Sequence, residues 1–202
     1  MANKIITISR EFGSGGRFIG EEVAKKLGMK YYDKDIISQI AEKLGFSKEY
    51  ISQNAELSPK KGLFAYALTG RDTTGKSVED MVYEAQRKVI LEIAENDSCV
   101  IIGRNADYIL KDRTDVINIF IHADMPEKVK RICRLYNVTE TEAVAMTADI
   151  DKRRMTNYRY YTDQKWGMAR NYTLTLNSSQ LGYDMCEKII MECAHPDTFR
   201  TI

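Results

Sequence analysis

Three glycines near the start of the chain lie between an apolar run and a segment with helical periodicity. The run is Lys4–Ile8, the loop after it reads Arg10-Glu11-Phe12-Gly13-Ser14-Gly15-Gly16-Arg17, and Gly20 follows inside the helical pattern. Such a turn presents consecutive backbone N–H groups at the positive end of a helix dipole, which suits a phosphate group. Glycine also permits positive φ angles and close approach of a ligand. The spacing predicts a phosphate-binding loop, with a glycine-rich turn that binds no ligand as the alternative.

The loop departs from the usual phosphate-binding pattern G-x-x-x-x-G-K-[ST]. If Gly15 is the last motif glycine, Gly16 takes the lysine position, Arg17 the Ser/Thr position, and Arg10 replaces the first glycine. Ser14 precedes the glycine, so no hydroxyl stands where Mg²⁺ is usually held. We expect Arg17 to supply the missing charge, because a guanidinium binds phosphate through two hydrogen bonds. The predicted nucleotide-binding residues are Gly13, Ser14, Gly15, Gly16, Arg17 and Phe18.

Five short apolar or β-branched runs predict the strands that must position this loop. Helical periodicity separates the runs, which favours an α/β fold with a mostly parallel sheet covered by helices on both faces. We interpret residues 1–202 as a single domain. The predicted strands are Lys4–Ile8, Met29–Tyr32, Ser98–Ile102, Asp115–Ile121 and Tyr172–Leu176.

Capping residues predict where the helices begin and end. Gly28 is a predicted helix stop, Asp33 a predicted cap, and Asp124 followed by Pro126 a predicted helix start. The stretch Gly45–Lys76 is the least regular part of the sequence. Further predicted helices are a short one near Ser47–Gln53, a long one after Ser77, one from Thr139 to about Tyr161 and one from Ser178 or Ser179 to about Cys193.

Composition excludes several functional classes. A net charge of +1 gives no bulk electrostatic case for binding nucleic acid or a membrane surface. No apolar run approaches the roughly 20 residues of a membrane span, and Met1–Arg10 shows no secretion signal, so we expect a cytoplasmic protein. The four cysteines form no CxxC pair and are interpreted as mostly buried, reduced side chains. The two histidines lack metal-ligand spacing.

Three segments together resemble the cytidylate-kinase-like family of the P-loop nucleoside-monophosphate kinases. They are Ile6-Thr7-Ile8, the loop Gly13–Arg17 and Ala24-Lys25-Lys26-Leu27-Gly28. A further match, Leu174–Leu181, resembles the last strand of the family. The resemblance implies a P-loop NTPase fold with a five-stranded parallel sheet, an acceptor-side insertion at about residues 45–76 and a lid at about residues 150–170.

Two short motifs resemble the acceptor site of this family. Asp33 matches the Asp of its Asp-Ser-Gly motif, although the Ser is absent here. Gly103 and Arg104 match its Gly-Arg-Asp motif, and Asn105 replaces the Asp. The resemblance implies that Arg104 holds the acceptor phosphate and that Asn105 lies where the family reads the base. Because Asp33 lies just past the second strand, we expect it to orient the acceptor or to bind Mg²⁺ through water.

The arginines between Asp151 and Arg159 resemble those of a family lid. The resemblance implies that Arg153, Arg154 and Arg159 close over the donor and acceptor phosphates; a solvated helix face is the alternative. Tyr158, Tyr160 and Tyr161 are candidates for stacking on a nucleotide or for packing. The predicted catalytic residues are Arg17, Asp33, Arg153, Arg154 and Arg159.

We therefore predict phosphoryl transfer from ATP, with Mg²⁺, to a nucleoside monophosphate or related small acceptor. Two alternatives stay open: a nucleotide-binding regulatory domain without turnover, suggested by the missing lysine, and a kinase of a different small molecule. The expected partners are small nucleotide substrates, with neither nucleic acid nor membrane. The oligomeric state is left open, with a homodimer as one option.

Overall fold

The computed structural model describes residues 4–45 and 78–194, and a parallel sheet lies at the centre of this part of the chain. Its strands are β1 (Ile5–Arg10), β2 (Lys30–Tyr32), β3 (Cys99–Ile102), β4 (Val116–His122) and β5 (Leu174–Asn177). They are hydrogen-bonded in the order β2-β3-β1-β4-β5, and each neighbouring pair is parallel. Strand β1 is buried along its whole length, which explains its continuous apolar run.

Helices cover both faces of this sheet. Ile19 and Val23 of the first helix pack on one face together with Cys186 and Ile190 of the last. The opposite face is covered by the second and third helices. The helices are α1 (Gly16–Leu27), α2 (Lys34–Leu44), α3 (Val78–Asn96), α4 (Ala106–Ile109), α5 (Met125–Tyr136), α6 (Glu140–Thr162), α7 (Ser178–Leu181) and α8 (Tyr183–Ala194), with a 3₁₀ turn at Ala169–Asn171.

A smaller apolar cluster lies beside the sheet, between α5 and α6. Val129 and Ile132 of α5 pack there against Ala143 of α6, and Phe12 of the loop after β1 joins them. The ring of Phe12 lies 5.8 Å from that of Tyr136, centroid to centroid. A loop side chain is thus part of the packing that holds α5 and α6 together.

The α/β fold and all five predicted strands are confirmed, with boundaries that agree within two residues. The prediction of one last helix is wrong. Gly182 adopts φ 76° and ψ 163°, which ends α7 and starts α8 separately, because this conformation cannot continue a helix. The short helix α4 was not predicted.

Two predicted caps lie at the correct positions but do not cap. The side chains of Asp33 and Asp124 make no capping hydrogen bond. Asp33 is engaged by Arg17 instead, and Asp124 accepts hydrogen bonds from Asn177 and Gln180. Both carboxylates thus find side-chain partners in place of the backbone N–H groups at the helix termini.

Some predictions fall outside the described part of the chain. Apart from Gly45, the acceptor-side insertion at residues 45–76 lies there, together with the candidate helix Ser47–Gln53 and the cap Ser77. In residues 4–45 and 78–194, no helix has both the length and the apolar character that a membrane crossing needs. Cys99 and Cys186 are buried and Cys133 and Cys193 are half-buried, and all four are free thiols.

Gly20 of α1 allows the helix to lie close against the sheet. A Cβ at this position would lie 2.6 Å from Cδ1 of Ile102 and 3.0 Å from Cδ1 of Ile8. We predict that Gly20→Val lowers the free energy of unfolding by about 1–3 kcal/mol, because overpacking forces the facing side chains off their rotamers. Urea unfolding measures this loss.

The matched control is Glu21→Val, which places the same side chain at the next, exposed position of α1. Its effect should stay near 0.5 kcal/mol, in the usual range for surface substitutions. If both variants lost the same free energy of unfolding, the close packing of Gly20 against the sheet would not be the cause of the destabilisation.

Candidate functional site

The loop between β1 and α1 is built around two glycines with positive φ. Gly13 has φ 81° and Gly15 has φ 80°, a region that other residues rarely adopt. A Cβ on Gly15 would lie 2.6 Å from the ring of Tyr183, and one on Gly16 would lie 2.7 Å from Cβ of Arg10. Helix α1 begins at Gly16, so the loop lies at the N-terminus of a helix, where backbone geometry favours an anion.

A buried lysine anchors this loop. Lys128 of α5 is 5% exposed; its Nζ donates a hydrogen bond to Oε2 of Glu11 at 2.9 Å and lies 3.5 Å from Oδ2 of Asp151. Asp151 of α6 accepts a hydrogen bond from the backbone N–H of Phe12 at 2.7 Å. Burial raises the pKa of Asp151, while the Phe12 N–H and the neighbouring cations oppose this rise. The loop is therefore tied to both helices by one buried ionic group.

A serine hydroxyl closes the loop on itself. Ser14 is buried; its Oγ donates to the carbonyl oxygen of Glu11 at 2.9 Å and accepts from the N–H of Gly16 at 3.3 Å. After β5, Oγ of Ser178 lies 2.6 Å from the Ser14 carbonyl oxygen and 3.2 Å from that of His122. The loop is thereby fixed to the ends of β4 and β5.

Arg17 forms an ion pair at the end of β2. Its Nε lies 2.7 Å from Oδ2 of Asp33, and the arginine side chain is 51% exposed whereas that of Asp33 is 7% exposed. The hydroxyl of Tyr31 donates to the Arg17 carbonyl at 3.3 Å. Two predicted site residues, Arg17 and Asp33, thus contact each other. The contact of Arg17 with a phosphate stays a prediction. Phe18 is 44% exposed, with its ring 5.7 Å from that of Tyr183.

A cavity of about 410 Å³ opens beside the loop. Its volume lies in the range of small-molecule sites. Nη1 of Arg131 donates to the hydroxyl of Tyr183 at 2.6 Å, and the guanidinium carbon lies 5.2 Å from the centroid of the tyrosine ring. The lining includes Gly13, Ser14, Lys130, Arg131, Arg134 and Tyr183. The cavity therefore combines Gly13 and Ser14 of the loop with three cationic side chains from α5. Glu127 of α5 also lines it and pairs with Lys130 at 2.7 Å.

The turn after β3 carries the two residues predicted to bind the acceptor. Gly103, Arg104 and Asn105 have φ angles of 64°, 62° and 54°, and a left-handed conformation is costly for the two non-glycine residues. Gln86 of α3 donates to the Arg104 carbonyl at 2.8 Å, and Nδ2 of Asn105 donates to Oδ1 of Asn157 at 3.1 Å. The first hydrogen bond fixes the backbone of the turn at Arg104, and the second fixes the buried side chain of Asn105.

Asp107 connects this turn to α6. It is fully buried, and its Oδ2 accepts a hydrogen bond from the hydroxyl of Tyr158 at 2.6 Å, while Oγ of Ser9 lies 3.4 Å from Oδ1. Burial raises the pKa of Asp107 to about 6, although the hydrogen bond from Tyr158 acts in the opposite direction. Burial likewise raises the pKa of Tyr158. The pair joins β1, α4 and α6 behind the site.

The three predicted lid arginines have different environments. Nη1 of Arg154 donates to the carbonyl oxygen of Arg10 at 3.1 Å and lies 3.7 Å from Oδ1 of Asp151. Nη1 of Arg153 lies 3.9 Å from Oδ2 of Asp149, and Arg159 is exposed. Of the three, the structure brings Arg154 to the end of β1.

The tyrosines near these arginines are mostly packed. Tyr158 is buried against Asp107. The ring of Tyr161 stacks on that of Tyr83 with centroids 3.9 Å apart and an angle of 6°. Tyr160 is 71% exposed and meets Tyr161 edge to face. Packing thus accounts for Tyr158 and Tyr161.

Several residues around the loop were not found by sequence reasoning. Lys128 is 5% exposed, and no motif in the sequence marks it. The available signal was spacing, because Lys128 precedes the buried Ile132 by four residues and shares its helix face. The other missed residues are Arg10, Glu11, Lys130, Arg131, Arg134, Asp151 and Tyr183.

We predict that Asp107 makes stability depend on pH. Its pKa in the folded state, about 6, lies above the ordinary value of 3.8, so its contribution to stability is full below about pH 4 and is lost as the pH rises through about 6. The shift corresponds to about 3 kcal/mol. Chemical unfolding of the wild type and Asp107→Asn across this window measures the difference.

Because Asn does not titrate, the Asn variant should gain stability relative to the wild type by up to about 3 kcal/mol between about pH 4 and pH 7. The Tyr158→Phe variant keeps the carboxyl group of Asp107. The difference in unfolding free energy between this variant and Asp107→Asn should therefore still change with pH. Parallel stability curves for the wild type and Asp107→Asn would contradict the assignment.

Comparison with known proteins gives consistent matches along almost the whole chain. A curated cytidylate kinase from Archaeoglobus fulgidus is 25% identical over 192 residues, which are 93% of this chain and 92% of that protein. The crystal structure of an uncharacterized protein from Eubacterium ventriosum matches with a TM-score of 0.73 and 25% identity, over 95% of this chain and 98% of that one.

A more distant structural match concerns the fold alone. Shikimate kinase from Acinetobacter baumannii, solved in complex with shikimate, has a TM-score of 0.53 and 16% identity over 95% of this chain and 92% of that chain. With the parallel sheet, this match confirms the predicted α/β P-loop fold. The model of the family described as "Cytidylate kinase-like family" matches residues 5–180. The chain therefore belongs to the cytidylate kinase-like family, as its motifs indicate.

Proposed function

We propose that this protein transfers a phosphoryl group from Mg-ATP to a nucleoside monophosphate or a related small acceptor. The observation that carries the proposal is the pair of sites at the carboxyl end of β1. The glycine loop and its cationic cavity lie on one side, and the turn with Arg104 follows the neighbouring strand β3. Ligands of open α/β sheets bind at such strand ends. Phosphoryl transfer mainly needs two substrates held in line and their charge neutralised.

On the donor side, the loop backbone would bind the ATP phosphates. Lys130, Arg131 and Arg134 line the same cavity as Gly13 and Ser14. Arg131 and Arg134 would supply the positive charge that the loop lacks at Gly16, whereas Lys130 is paired with Glu127 and Arg17 with Asp33. We assign donor-phosphate neutralisation to Arg131 and Arg134 and a positioning role at the β2–α2 junction to Arg17.

Magnesium would enter with the triphosphate. Among the described residues, no group of three or more His, Cys, Asp and Glu side chains is placed to hold a metal ion. Mg²⁺ does not require such a group, because it keeps several waters and binds through substrate phosphates and one or two carboxylates. Asp33 is a candidate for such a carboxylate if Arg17 moves away from it.

On the acceptor side, Arg104 would hold the phosphate and Asn105 would face the base. Asn offers a donor as well as an acceptor, and the hydrogen bond from its Nδ2 to Asn157 fixes its orientation. Arg153, Arg154 and Arg159 belong to the predicted lid at residues 150–170, whose closure would exclude water from the transferred group.

We predict that the purified protein releases ADP from Mg-ATP in the presence of an acceptor, measured against CMP, dCMP, UMP, AMP and shikimate. Arg104→Met should lower this rate by about 100-fold or more, as expected when a charged group that binds the transferring region is lost. Methionine keeps the length of the stem while removing the charge.

The matched control is Arg87→Met on α3, which removes an exposed arginine outside the site. It should match the wild type, and it tests for contaminating kinases because all three proteins are purified identically. Release with shikimate but with no nucleotide would favour a kinase of another small molecule. No release with any acceptor, while calorimetry still detects ATP binding, would favour a regulatory domain.

We also predict that Arg131→Met weakens ATP binding by about 10-fold or more, the equivalent of losing one charged hydrogen bond. Arg17→Met should change it by less than about 3-fold, because Arg17 is engaged by Asp33. Calorimetric titration with a non-hydrolysable ATP analogue measures both constants. A larger loss of ATP binding in Arg17→Met than in Arg131→Met would assign the phosphate-binding charge to Arg17, as the sequence alone predicts.

A further inference from the structure

Arg131 is less exposed than the other two cations that line the cavity of about 410 Å³ beside the loop. The side chain of Lys130 is 71% exposed and pairs with Glu127 at 2.7 Å, and Arg134 is exposed. Nη1 of Arg131 donates a hydrogen bond to the hydroxyl of Tyr183 at 2.6 Å, and the guanidinium carbon lies 5.2 Å from the centroid of the tyrosine ring. The hydrogen bond and the ring together fix where this charge lies.

The hydroxyl end of Tyr183 lies directly over Gly15. A Cβ on Gly15 would lie 2.6 Å from both Cζ and the hydroxyl oxygen of Tyr183 and 2.7 Å from its Cε1. These distances are well inside van der Waals contact, so the tyrosine can take this position only because residue 15 has no side chain. The same hydroxyl accepts the hydrogen bond from Arg131. The guanidinium therefore lies beside the loop, near the residue that precedes Gly16.

Helix α5 is also packed closely against the loop. A Cβ on Gly13 would lie 2.9 Å from Cδ1 of Ile132 and 3.1 Å from Cβ of Lys128. Arg131 lies between these two residues in the sequence, so the backbone from which its side chain starts is fixed relative to the loop. Tyr183 holds the other end of the same side chain. The arginine is therefore held at its backbone and at its guanidinium.

The backbone at Gly182 determines where Tyr183 lies. Gly182 has φ 76° and ψ 163°, a conformation that is essentially confined to glycine, and α8 begins at the next residue. Tyr183 is thus the first residue of α8. The break between α7 and α8 therefore sets the point from which this side chain reaches Gly15.

We propose that Tyr183 is a positioning residue for the donor: its hydroxyl holds the guanidinium of Arg131 beside Gly15 and so places a positive charge near Gly16, where the usual motif has lysine. This inference rests on the proposed function and adds a residue of α8 to the donor site. A guanidinium has five N–H donors, so one hydrogen bond to Tyr183 is compatible with two more to a phosphate group. A side chain that is already held loses less conformational freedom when the phosphate binds, which strengthens binding.

The test is Tyr183→Phe, which keeps the ring over Gly15 and removes only the hydroxyl. Calorimetric titration measures the binding of a non-hydrolysable ATP analogue, of inorganic tripolyphosphate and of adenosine. The variant should bind the ATP analogue and tripolyphosphate about 3–10-fold more weakly, the equivalent of one hydrogen bond. Adenosine has no phosphate, so its affinity should change by less than about 2-fold. This difference separates the positioning of a charge from general damage to the cavity.

A double-mutant cycle shows whether Tyr183 acts through Arg131. Arg131→Met should weaken binding of the ATP analogue by about 10-fold or more. Adding Tyr183→Phe to that variant should weaken it by less than about 2-fold further, because the hydroxyl then has no charge to position. Tyr108→Phe is the matched control, since it removes a tyrosine hydroxyl from α4, outside the cavity lining. It should bind all three ligands like the wild type, and circular dichroism verifies the fold of each protein.

Three results would overturn the proposal. One is unchanged binding of the ATP analogue in Tyr183→Phe. Another is an equal loss for adenosine and the ATP analogue, which would assign Tyr183 to the shape of the cavity. The third is a full and independent loss from each substitution in the double variant, which would show that the hydroxyl does not act through Arg131. Failure of the wild type to release ADP, with these binding losses intact, would instead refute the proposed phosphoryl transfer and leave the role of Tyr183 standing.

Discussion

The buried ionic group around Lys128 is the contact on which the site depends. Lys128 is almost inaccessible to water and joins Glu11 to Asp151. Asp151 in turn accepts a hydrogen bond from the backbone N–H of Phe12. Removing one partner from such a group leaves an uncompensated buried charge, which costs about 3–5 kcal/mol. The loop conformation, the position of α5 with its three cavity-lining cations and the approach of α6 are therefore set together. The loop, which has glycine at the usual lysine position, is thus supported from α5 by a lysine whose contacts are with carboxylates.

Strand β1 gives the site its arrangement in space. Its end separates the large cavity beside α5 from a small cavity of about 10 Å³ that Arg104 lines beside β3, so donor and acceptor would approach from opposite sides of one strand. Arg10 is central to this division, since its stem packs under Gly16 and it lines the small cavity. This double role explains why a large residue is accommodated where the usual motif has glycine.

Much of the fold could be predicted from local pattern, but the site only in part. The strands are continuous apolar runs, and the loop is a glycine cluster at a strand end; both are local signals. The ion pair of Arg17 with Asp33 and the convergence of Arg10 with Arg154 join residues far apart in sequence, so no spacing reveals them. The same limit applies to Lys128, because only the packed structure shows which helix face is buried. Gly182 was read as part of a helix because its neighbours have helical periodicity, yet its own backbone breaks it.

The hydroxyl of Ser178 makes the loop depend on the far end of the chain. It lies within hydrogen-bond distance of the Ser14 carbonyl across 164 residues of sequence, and Tyr183 covers Gly15 from the same region. During synthesis the loop leaves the ribosome early, but these two contacts form only after β5 and the start of α8 have been made. Bringing together residues of such long sequence separation carries an entropic cost, so both contacts depend on the folding of the chain between them. A nascent chain thus lacks these two contacts of the loop until β5 and the start of α8 have been added to the sheet.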